Sequence, residues 1–569
     1  MSNAATALPQ GKDAPFDETI TTLRARLLDL GVEVDERAWL NPVKGVWSVN
    51  LALSGCSGLF TNGKGTSRDA ALASAYGEFF ERLTTGYLIS DLFLPLKDPE
   101  KSHAYSPDEV WLKDIEAARE MALKPELWDL YDPEAELTFE HLVDFNTGGE
   151  HGIVCLPFLD AGGQRVLFPV SILENLYVSN GMAAGNTPLE AKVQALSEVV
   201  ERYVKERIIT RGFCLPDLPL EVLDRFPLVV EGMKALEARG LRIRVKDASL
   251  GGRFPVVCVV AINPEDGGVF ASFGAHPSFA VAFSRTFTEL LQGRDEIKGF
   301  PFPTMDDVLV ASSGNVEDHF VDSSGLLHWN FLGDKPDFPF VRWGEEPMDR
   351  NAEYAQLLSV MKDEGKDLYV WEGDHLGMPC CRVVVPGLSE IYPVEELVWE
   401  SRGRQVMLRR GLLGLDTLKK SEAEALFELI EDGAFSPETP VCDVVGVAGE
   451  NPWKDICVAE VAAWFAVVAE EEYEAARWFG VAGRLDIPNH RKLFHLAMEA
   501  ALMAKGEGRE MPPLEALLPL KVHRMVKASL FEGKALFLPE APFLSLVERG
   551  EHGRIAERVA HLRKTGVSR

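Results

Sequence analysis

Two segments of this chain carry the same acidic pattern: Ser74-Ala-Tyr-Gly-Glu78-Phe-Phe-Glu81-Arg82 and Gln194-Ala-Leu-Ser-Glu198-Val-Val-Glu201-Arg202. Glutamates three residues apart, followed at once by arginine, are suited to holding a hard divalent cation and balancing its site. At about 100° per residue, Ser74, Glu78, Glu81 and Arg82 fall in an arc of roughly 100°, with Leu72, Tyr76, Phe79 and Leu83 opposite. Glu190, Gln194, Glu198 and Glu201 lie within about 80° of one another, away from Leu196, Val199 and Tyr203. A looser third copy runs from Ser272-Phe-Gly-Ala-His276 to Arg285, Glu289 and Gln292, which align within about 60°. Acidic groups converging from several helices repel, so a shared site requires arginines or cations. Magnesium fits, because it takes carboxylate oxygens and bridges to substrate phosphates.

These side chains need rigid supports. Each acidic helix is expected to follow a strand and a Gly/Asn-rich turn, Asn62-Gly-Lys-Gly-Thr66 in the first copy and Asn180-Gly-Met-Ala-Ala-Gly-Asn186 in the second. A single glutamate-rich face is most often only solvated. Glu190 has a second reading, since Thr187-Pro188-Leu189-Glu190 spells a capping box with proline at the first helical position. Recurrence of one spacing after one kind of turn favours a site over solvated faces.

The same residues resemble the YcaO family, whose members carry Ser-x-x-x-Glu-x-x-Glu-Arg, Glu-x-x-x-Gln and a second Glu-x-x-Glu-Arg. The similarity extends to Gly11-Lys-Asp-Ala14 with Thr19, Trp39-Leu-Asn-Pro42, Leu176-Tyr-Val-Ser-Asn-Gly181, Asp247-Ala-Ser-Leu-Gly-Gly252 and Ile391-Tyr-Pro393. It is strongest over residues 5–400 and points to the family's stand-alone bacterial members. The resemblance implies ATP and Mg²⁺ as cofactors, bound by Lys12, Thr19, Glu78, Glu81, Arg82, Asn186, Glu190, Gln194, Glu198, Glu201, Arg202, Arg285 and Glu289. The metal would fall to Glu78, Glu81, Glu190, Glu198, Glu201 and Glu289. Ala183 stands where those relatives have serine, so the resemblance does not carry over a side-chain contact to the nucleotide at that position.

Composition limits the other classes. The chain has 569 residues, 46% hydrophobic and 26% charged, enough for two or more domains with sizeable cores. Its formal charge of −30 argues against direct nucleic-acid binding and favours basic partners. The start, Met-Ser-Asn-Ala-Ala-Thr, lacks the features of a signal peptide, and the longest apolar run, Val461 to Ala469, is too short to span a membrane. A cytoplasmic protein is expected. Eight cysteines lie without metal spacing, and the vicinal Cys380-Cys381 reads first as strand and core, second as a redox or metal-carrying pair. His276 is the one histidine near the proposed site, read as structural. Gly58-Leu-Phe-Thr-Asn-Gly63-Lys64-Gly65 nearly spells a phosphate loop, but glycine follows Lys64 where serine or threonine should bind Mg²⁺. Lys64 is left either approaching a phosphate or solvated in a turn.

Periodicity predicts a helix over Asp17–Leu30 and strands over Val46–Leu53, Val166–Val170, Phe254–Asn263, Val269–Phe273 and Leu368–Trp371, with a hairpin at Pro264-Glu-Asp-Gly-Gly268. The fold class is α+β (mixed α/β) with pseudo-repeated strand–turn–helix units, of the YcaO ATP-binding type by resemblance, over residues 1–402. Residues 403–569 are expected to form an all-α, tetratricopeptide-like array of helical hairpins, with helical runs Ser421–Glu431, Asp455–Gly480 and His490–Gly506.

Two functions follow as expectations. The first is an ATP-dependent enzyme in which the glutamates hold Mg²⁺ and Arg82, Arg202 and Arg285 offset developing charge. The resemblance implies phosphorylation of a peptide amide oxygen. The C-terminal residues Lys564 to Arg569, in place of the proline-rich tail of azoline-forming members, point instead to an accessory role in methylthiolation of an aspartate in a small-subunit ribosomal protein. Partners would be that protein or another peptide, a radical methylthiotransferase and a second copy in a homodimer, with no direct nucleic acid and no membrane. The alternative is a nucleotide-regulated scaffold that catalyses nothing.

Overall fold

The computed structural model describes residues 8–532, 538–539 and 549–564. Residues 565–569, on which the expectation about a proline-rich tail rests, lie outside the described residues, as do the first seven. The chain is mixed α/β: the described residues form twelve strands in three antiparallel sheets, followed by a helical C-terminal region.

The first sheet is β1 (Val34–Leu40), β2 (Trp47–Leu53) and β3 (Cys56–Gly65), in that order. β3 corrects one expectation: Asn62-Gly-Lys-Gly65 is strand, pairing Asn62 with Asn50 and Gly65 with Trp47, and is not a turn. The glycines serve close packing. A Cβ on Gly63 would stand 2.1 Å from the Ala71 carbonyl oxygen, on the helix that β3 feeds. The largest sheet orders β4 (Val110–Leu112), β5 (Ile153–Asp160), β11 (Tyr369–Gly373), β12 (Cys380–Val384) and β7 (Met182–Ala184), with β6 (Arg165–Pro169) also on β5.

The third sheet runs β10 (Val269–Ala275), β9 (Val256–Ile262), β8 (Arg242–Asp247). The expected hairpin joins β9 to β10, pairing Ile262 with Val269. β9 is apolar throughout because both of its faces are covered. Val256, Cys258 and Val260 pack toward the helix Pro188–Arg211, whereas Val257, Val259 and Ala261 pack toward the helix Phe279–Leu290. Alternate side chains on a strand point to opposite faces, so a continuous apolar run marks a sheet buried on both sides.

Five long helices position the charged side chains: α1 (Phe16–Asp29), α2 (Arg68–Thr84), α3 (Pro188–Arg211), α4 (Phe279–Leu290) and α5 (Arg350–Asp363). The expected pseudo-repeat is present as β3–α2, β7–α3 and β10–α4. In each unit a glycine lets strand backbone approach helix: Cβ atoms on Gly185 and Gly274 would stand 2.5 Å from Ala191 N and 2.2 Å from Thr286 Oγ1.

The C-terminal region contains α6 (Arg402–Leu413), α7 (Lys420–Leu429), α8 (Val458–Val468), α9 (Glu472–Arg484), α10 (Asn489–Gly506), α11 (Leu520–Glu532) and α12 (Gly550–Leu562). The expected single run Asp455–Gly480 is two helices. Glu470 adopts a left-handed φ of 63° and Glu471 N returns to Ala466 O at 2.9 Å, ending α8 without a glycine or proline to announce it. α12 doubles back, placing Ile555 and Val559 in one core with Leu23, Leu51 and Phe79. Among the described residues no helix is long and apolar enough to cross a membrane.

Candidate functional site

α2 starts where Ser67 Oγ accepts a hydrogen bond from Ala70 N at 3.1 Å, an N-cap that fixes the helix's rotation on β3. Tyr76 and Phe79 are buried, so Glu78, Glu81 and Arg82 project from the other face as the spacing predicted. Arg82 lies 3.5 Å from Glu78 and 3.4 Å from Glu81, with its guanidinium 4.6 Å over the Tyr87 ring. α3 repeats the pattern: Arg202 Nε donates to Glu198 at 3.2 Å and faces the Phe320 ring at 5.4 Å. Each motif thus carries its own arginine, paired with the glutamate one turn earlier.

The two motifs converge. Burial pushes the Glu81 carboxyl up to about 8, opposed by Arg82 and reinforced by Glu78 and Glu198 across the gap. Glu78 is raised by burial and then by Glu198, against Arg82 and Lys64. Glu201 is raised by burial and by Glu198, against Arg285 and Lys64, and accepts a hydrogen bond from Ala275 N at 3.2 Å on β10. The site is a cleft: 32% of the Glu78 side chain and 14% of the Glu81 side chain reach solvent. The third unit closes one side, where Arg285 donates to Gln194 Oε1 at 2.5 Å and Gln292 to Asn62 O at 2.8 Å.

Lys64 belongs here, and its placement corrects the solvated-turn reading. It extends from β3 into an ion pair with Glu289, and burial together with Arg285 pushes it down to about 8. The near-match to a phosphate loop therefore arises from a strand that must lie flat on α2 while sending one lysine into the cleft.

Lys12, Thr19, Asn186 and Glu190 meet at a second centre. Lys12 Nζ donates to Glu190 at 3.1 Å, Asp13 N donates to it at 2.9 Å, and Asn186 Nδ2 adds a bond at 3.1 Å. Thr19 Oγ1 donates to Asn186 Oδ1 at 2.9 Å. The capping-box reading of Glu190 holds by half. Thr187 Oγ1 accepts from Glu190 N at 3.1 Å, but the carboxylate turns to the N-terminal segment and is 3% exposed, so it holds that segment and not its own helix start. Gln194, one turn beyond Glu190, connects this centre to the carboxylate cleft through Arg285.

All thirteen expected residues thus lie on the N-terminal segment, α1, α2, the β7–α3 turn, α3 and α4. Sequence reasoning left out four charged neighbours. Lys205, buried and pushed down to about 8, follows Glu201 by one helical turn and could have been found from that spacing. Asp13 binds Thr187 Oγ1 at 2.6 Å and Arg350 at 2.9 Å. Arg350 and Glu353 come from α5, which carries no acidic repeat. His276, read as structural, is buried, pushed down to about 3, and accepts from Ser278 N at 3.0 Å. Cys380 and Cys381 are buried free thiols, the first pushed up to about 12 by burial.

Among the described residues no three of His, Cys, Asp or Glu stand close enough to hold an ion by themselves. Basic side chains separate the glutamates. That donor set fits magnesium, which binds through one or two carboxylates plus substrate phosphates, and not a closed protein cage.

A family model described as "YcaO cyclodehydratase, ATP-ad Mg2+-binding" matches residues 62–389. The chain is 43% identical over 521 residues to "Ribosomal protein S12 methylthiotransferase accessory factor YcaO" of Escherichia coli (strain K12), covering 89% of this chain and 88% of that one. It is 41% identical over 479 residues to an uncharacterized protein of Haemophilus influenzae, covering 82% and 81%. Distant likenesses among solved structures include YcaO from Methanopyrus kandleri bound with AMPPCP and Mg2+ (18% identity, TM-score 0.43, 68% of this chain and 93% of that one). A heterocyclase in complex with substrate and cofactor gives 16% identity and TM-score 0.45 over 69% of this chain, which spans 56% of that protein. Both lie too far away to carry an argument about this site.

Proposed function

The chain belongs to the YcaO family, and from that premise we propose that the cleft between α2, α3 and α4 binds Mg²⁺-ATP. The observation that carries this reading is the convergence of Glu78, Glu81, Glu198 and Glu201 from two separate helices, each pair with its own arginine and the half-buried Lys64 between them. The carboxyls of Glu78, Glu81 and Glu201, held above their ordinary range by burial, stand ready to be relieved by a cation. Bound there, Mg²⁺ would supply charge neutralisation and polarisation of the phosphate oxygens. Arg82, Arg202 and Arg285 would offset negative charge on the transferred group, and Lys64 and Lys12 would orient the polyphosphate. Asn186, Thr19, Glu190 and Gln194 would hold the N-terminal segment against the nucleotide.

The activity proposed for this site is ATP-dependent phosphorylation of a peptide amide oxygen, or an accessory step in β-methylthiolation of a small-subunit ribosomal protein. The relative's printed name supports the second. A peptide or ribosomal protein, a radical methylthiotransferase and a homodimeric partner belong to this reading, as does a cytoplasmic setting. The alternative is a scaffold that presents its partner under nucleotide control. Calorimetric titration with ATP, with and without a chelator, tests the site: binding is expected only with Mg²⁺, and equal affinity in both refutes it. Phosphate release that depends on an added peptide partner separates the enzyme from the scaffold.

A further inference from the structure

A cavity of about 600 Å³ opens next to the carboxylate cleft, with Tyr87 common to both. Its walls come from residues 87–91 after α2, a turn at residues 174–178, Glu317, residues 392–400, α6 and Asp443. It thus forms where the C-terminal helices meet the rest of the chain. Its volume is in the range of about 300–1,000 Å³ found for ligand pockets, room for a short run of side chains.

The lining is strongly one-signed. Asp91, Glu174, Glu317, Glu396, Glu400 and Asp443 face it, and Arg402 is the one basic residue among them. Arg402 is bound to Asp91 at 3.1 Å and its charge also reaches Glu174, leaving Glu317, Glu396, Glu400 and Asp443 without a basic partner in the wall. Their mutual effect is visible: Glu396 is raised by burial, then by Glu400 and Glu317. Tyr392, donating to Glu317 at 3.1 Å, is pushed up to about 12 by burial, then by Glu317 and Glu396.

The wall is also rigidly built around an unsatisfied acceptor. Glu174 takes a hydrogen bond from Tyr105 at 3.1 Å on one oxygen, while Oε2 is enclosed with no partner. Behind it Arg382, 4% exposed, donates to Leu173 O at 2.8 Å and Val178 O at 2.7 Å, clamping both ends of the turn that presents Glu174. Arg382 Nε has no partner. An enclosed carboxyl oxygen left unpaired is costly unless a donor arrives from outside.

We propose that this cavity receives a lysine- or arginine-rich segment of a polypeptide, which it holds beside Arg82 and the nucleotide cleft. A bound metal ion is the weaker occupant, because no three acidic groups among the described residues converge on one point. Carboxylates spaced along a cleft suit several separate cationic heads, and a negative cleft in a chain of net charge −30 draws basic partners toward it. Tyr87 and Tyr392 add ring faces over which a guanidinium can lie. The inference deepens the nucleotide reading by naming the chemistry of the peptide, but peptide binding itself does not require ATP.

The test is fluorescence anisotropy on the full chain with a labelled arginine–glycine repeat peptide, and a glutamate–glycine peptide as control. Glu317→Gln/Glu396→Gln/Glu400→Gln should weaken the arginine peptide on the order of tenfold, the scale of three partly screened ion pairs, and added salt should weaken it further. Asp486→Asn/Glu507→Gln/Glu510→Gln, which removes exposed charge from residues that do not line the cavity, should change little. Should the triple cavity variant misfold, the single exposed change Glu400→Lys carries the same expectation. Undiminished binding in the cavity variants, or an equal loss in the variant at Asp486, Glu507 and Glu510, overturns the proposal. Calorimetry with Mg²⁺-ATP on the same samples reads the nucleotide site separately, and its affinity should be unchanged.

Discussion

At the scale of residues, Glu81 is the most instructive group. Its folded value of about 8 lies above the ordinary carboxyl value of 4.5, so between those two pH values the folded chain holds a proton that the unfolded chain has lost. Stability from this group is therefore full below the unfolded value and is lost as pH rises toward 8. A cation takes the ionised form, so Mg²⁺-ATP binding near neutral pH should release protons and strengthen as pH rises. Lys64, also near 8, is already mostly protonated there and takes up little. Titration calorimetry in buffers of different ionisation enthalpy reads the release; a binding heat independent of buffer would contradict it. Glu81→Gln and Glu201→Gln should each cost more than about tenfold in Mg²⁺-ATP affinity, a scale set by losing one charge-assisted ligand. Neither should lower the Tm of the ligand-free protein at mildly alkaline pH, because each removes a carboxylate that its own cluster repels. A large drop in Tm would make these glutamates structural.

At the scale of elements, the three strand–helix units depend on backbone contact. Gly63→Ala and Gly274→Ala would drive a Cβ into helix backbone or a buried threonine, and no flexible side-chain end is there to yield. Each should cost about 1–3 kcal/mol, the usual range for overpacking. Gly58→Ala, on the same strand as Gly63 but with nothing within 4 Å, should be nearly neutral. Thermal denaturation of the three variants decides; equal Tm values would mean that the sheet shifts without cost. Gly63 also explains why the sequence suggested a turn. Glycine is the residue of turns and of close approach alike, and only the partner surface distinguishes them.

At the scale of the whole molecule, composition changes near residue 403, and every proposed nucleotide ligand precedes that point. The contacts across it are extensive. Arg409 is 1% exposed and donates to Phe145 O, lying 4.0 Å over the Phe93 ring. Arg563, 5% exposed, donates to Leu94 O at 2.7 Å, and His552 Nε2 reaches Phe93 O at 2.7 Å. A chain ending at Arg402 would uncover these groups together with the core around Phe79 that Ile555 and Val559 complete. An interface of that kind argues against independent folding, so the shortened chain should lose its cooperative thermal transition. A soluble fragment that still binds Mg²⁺-ATP would establish residues 1–402 as a domain by themselves.

Sequence alone determined the acidic faces of α2, α3 and α4, the hairpin joining β9 to β10 and the helical character of the C-terminal region. These are local matters: a period of 3.6 or 2 places side chains on a face, and a Pro-Glu-Asp-Gly-Gly run turns a chain. The strands β2, β6, β9, β10 and β11 were legible for the same reason, with ends that differ from the expected ones by up to two residues. Tertiary structure decided the rest. That Glu190 would leave its own helix start for Lys12 and Asp13, that Lys64 would enter the cleft from a strand, and that Arg350 would join from α5 each depend on a partner distant in sequence. So does the acidic cavity, whose six carboxyls are spread from Asp91 to Asp443 and follow no repeat. Periodicity records the face a residue occupies on its own element; only packing sets which faces meet, and charge acquires its meaning when burial brings those faces together.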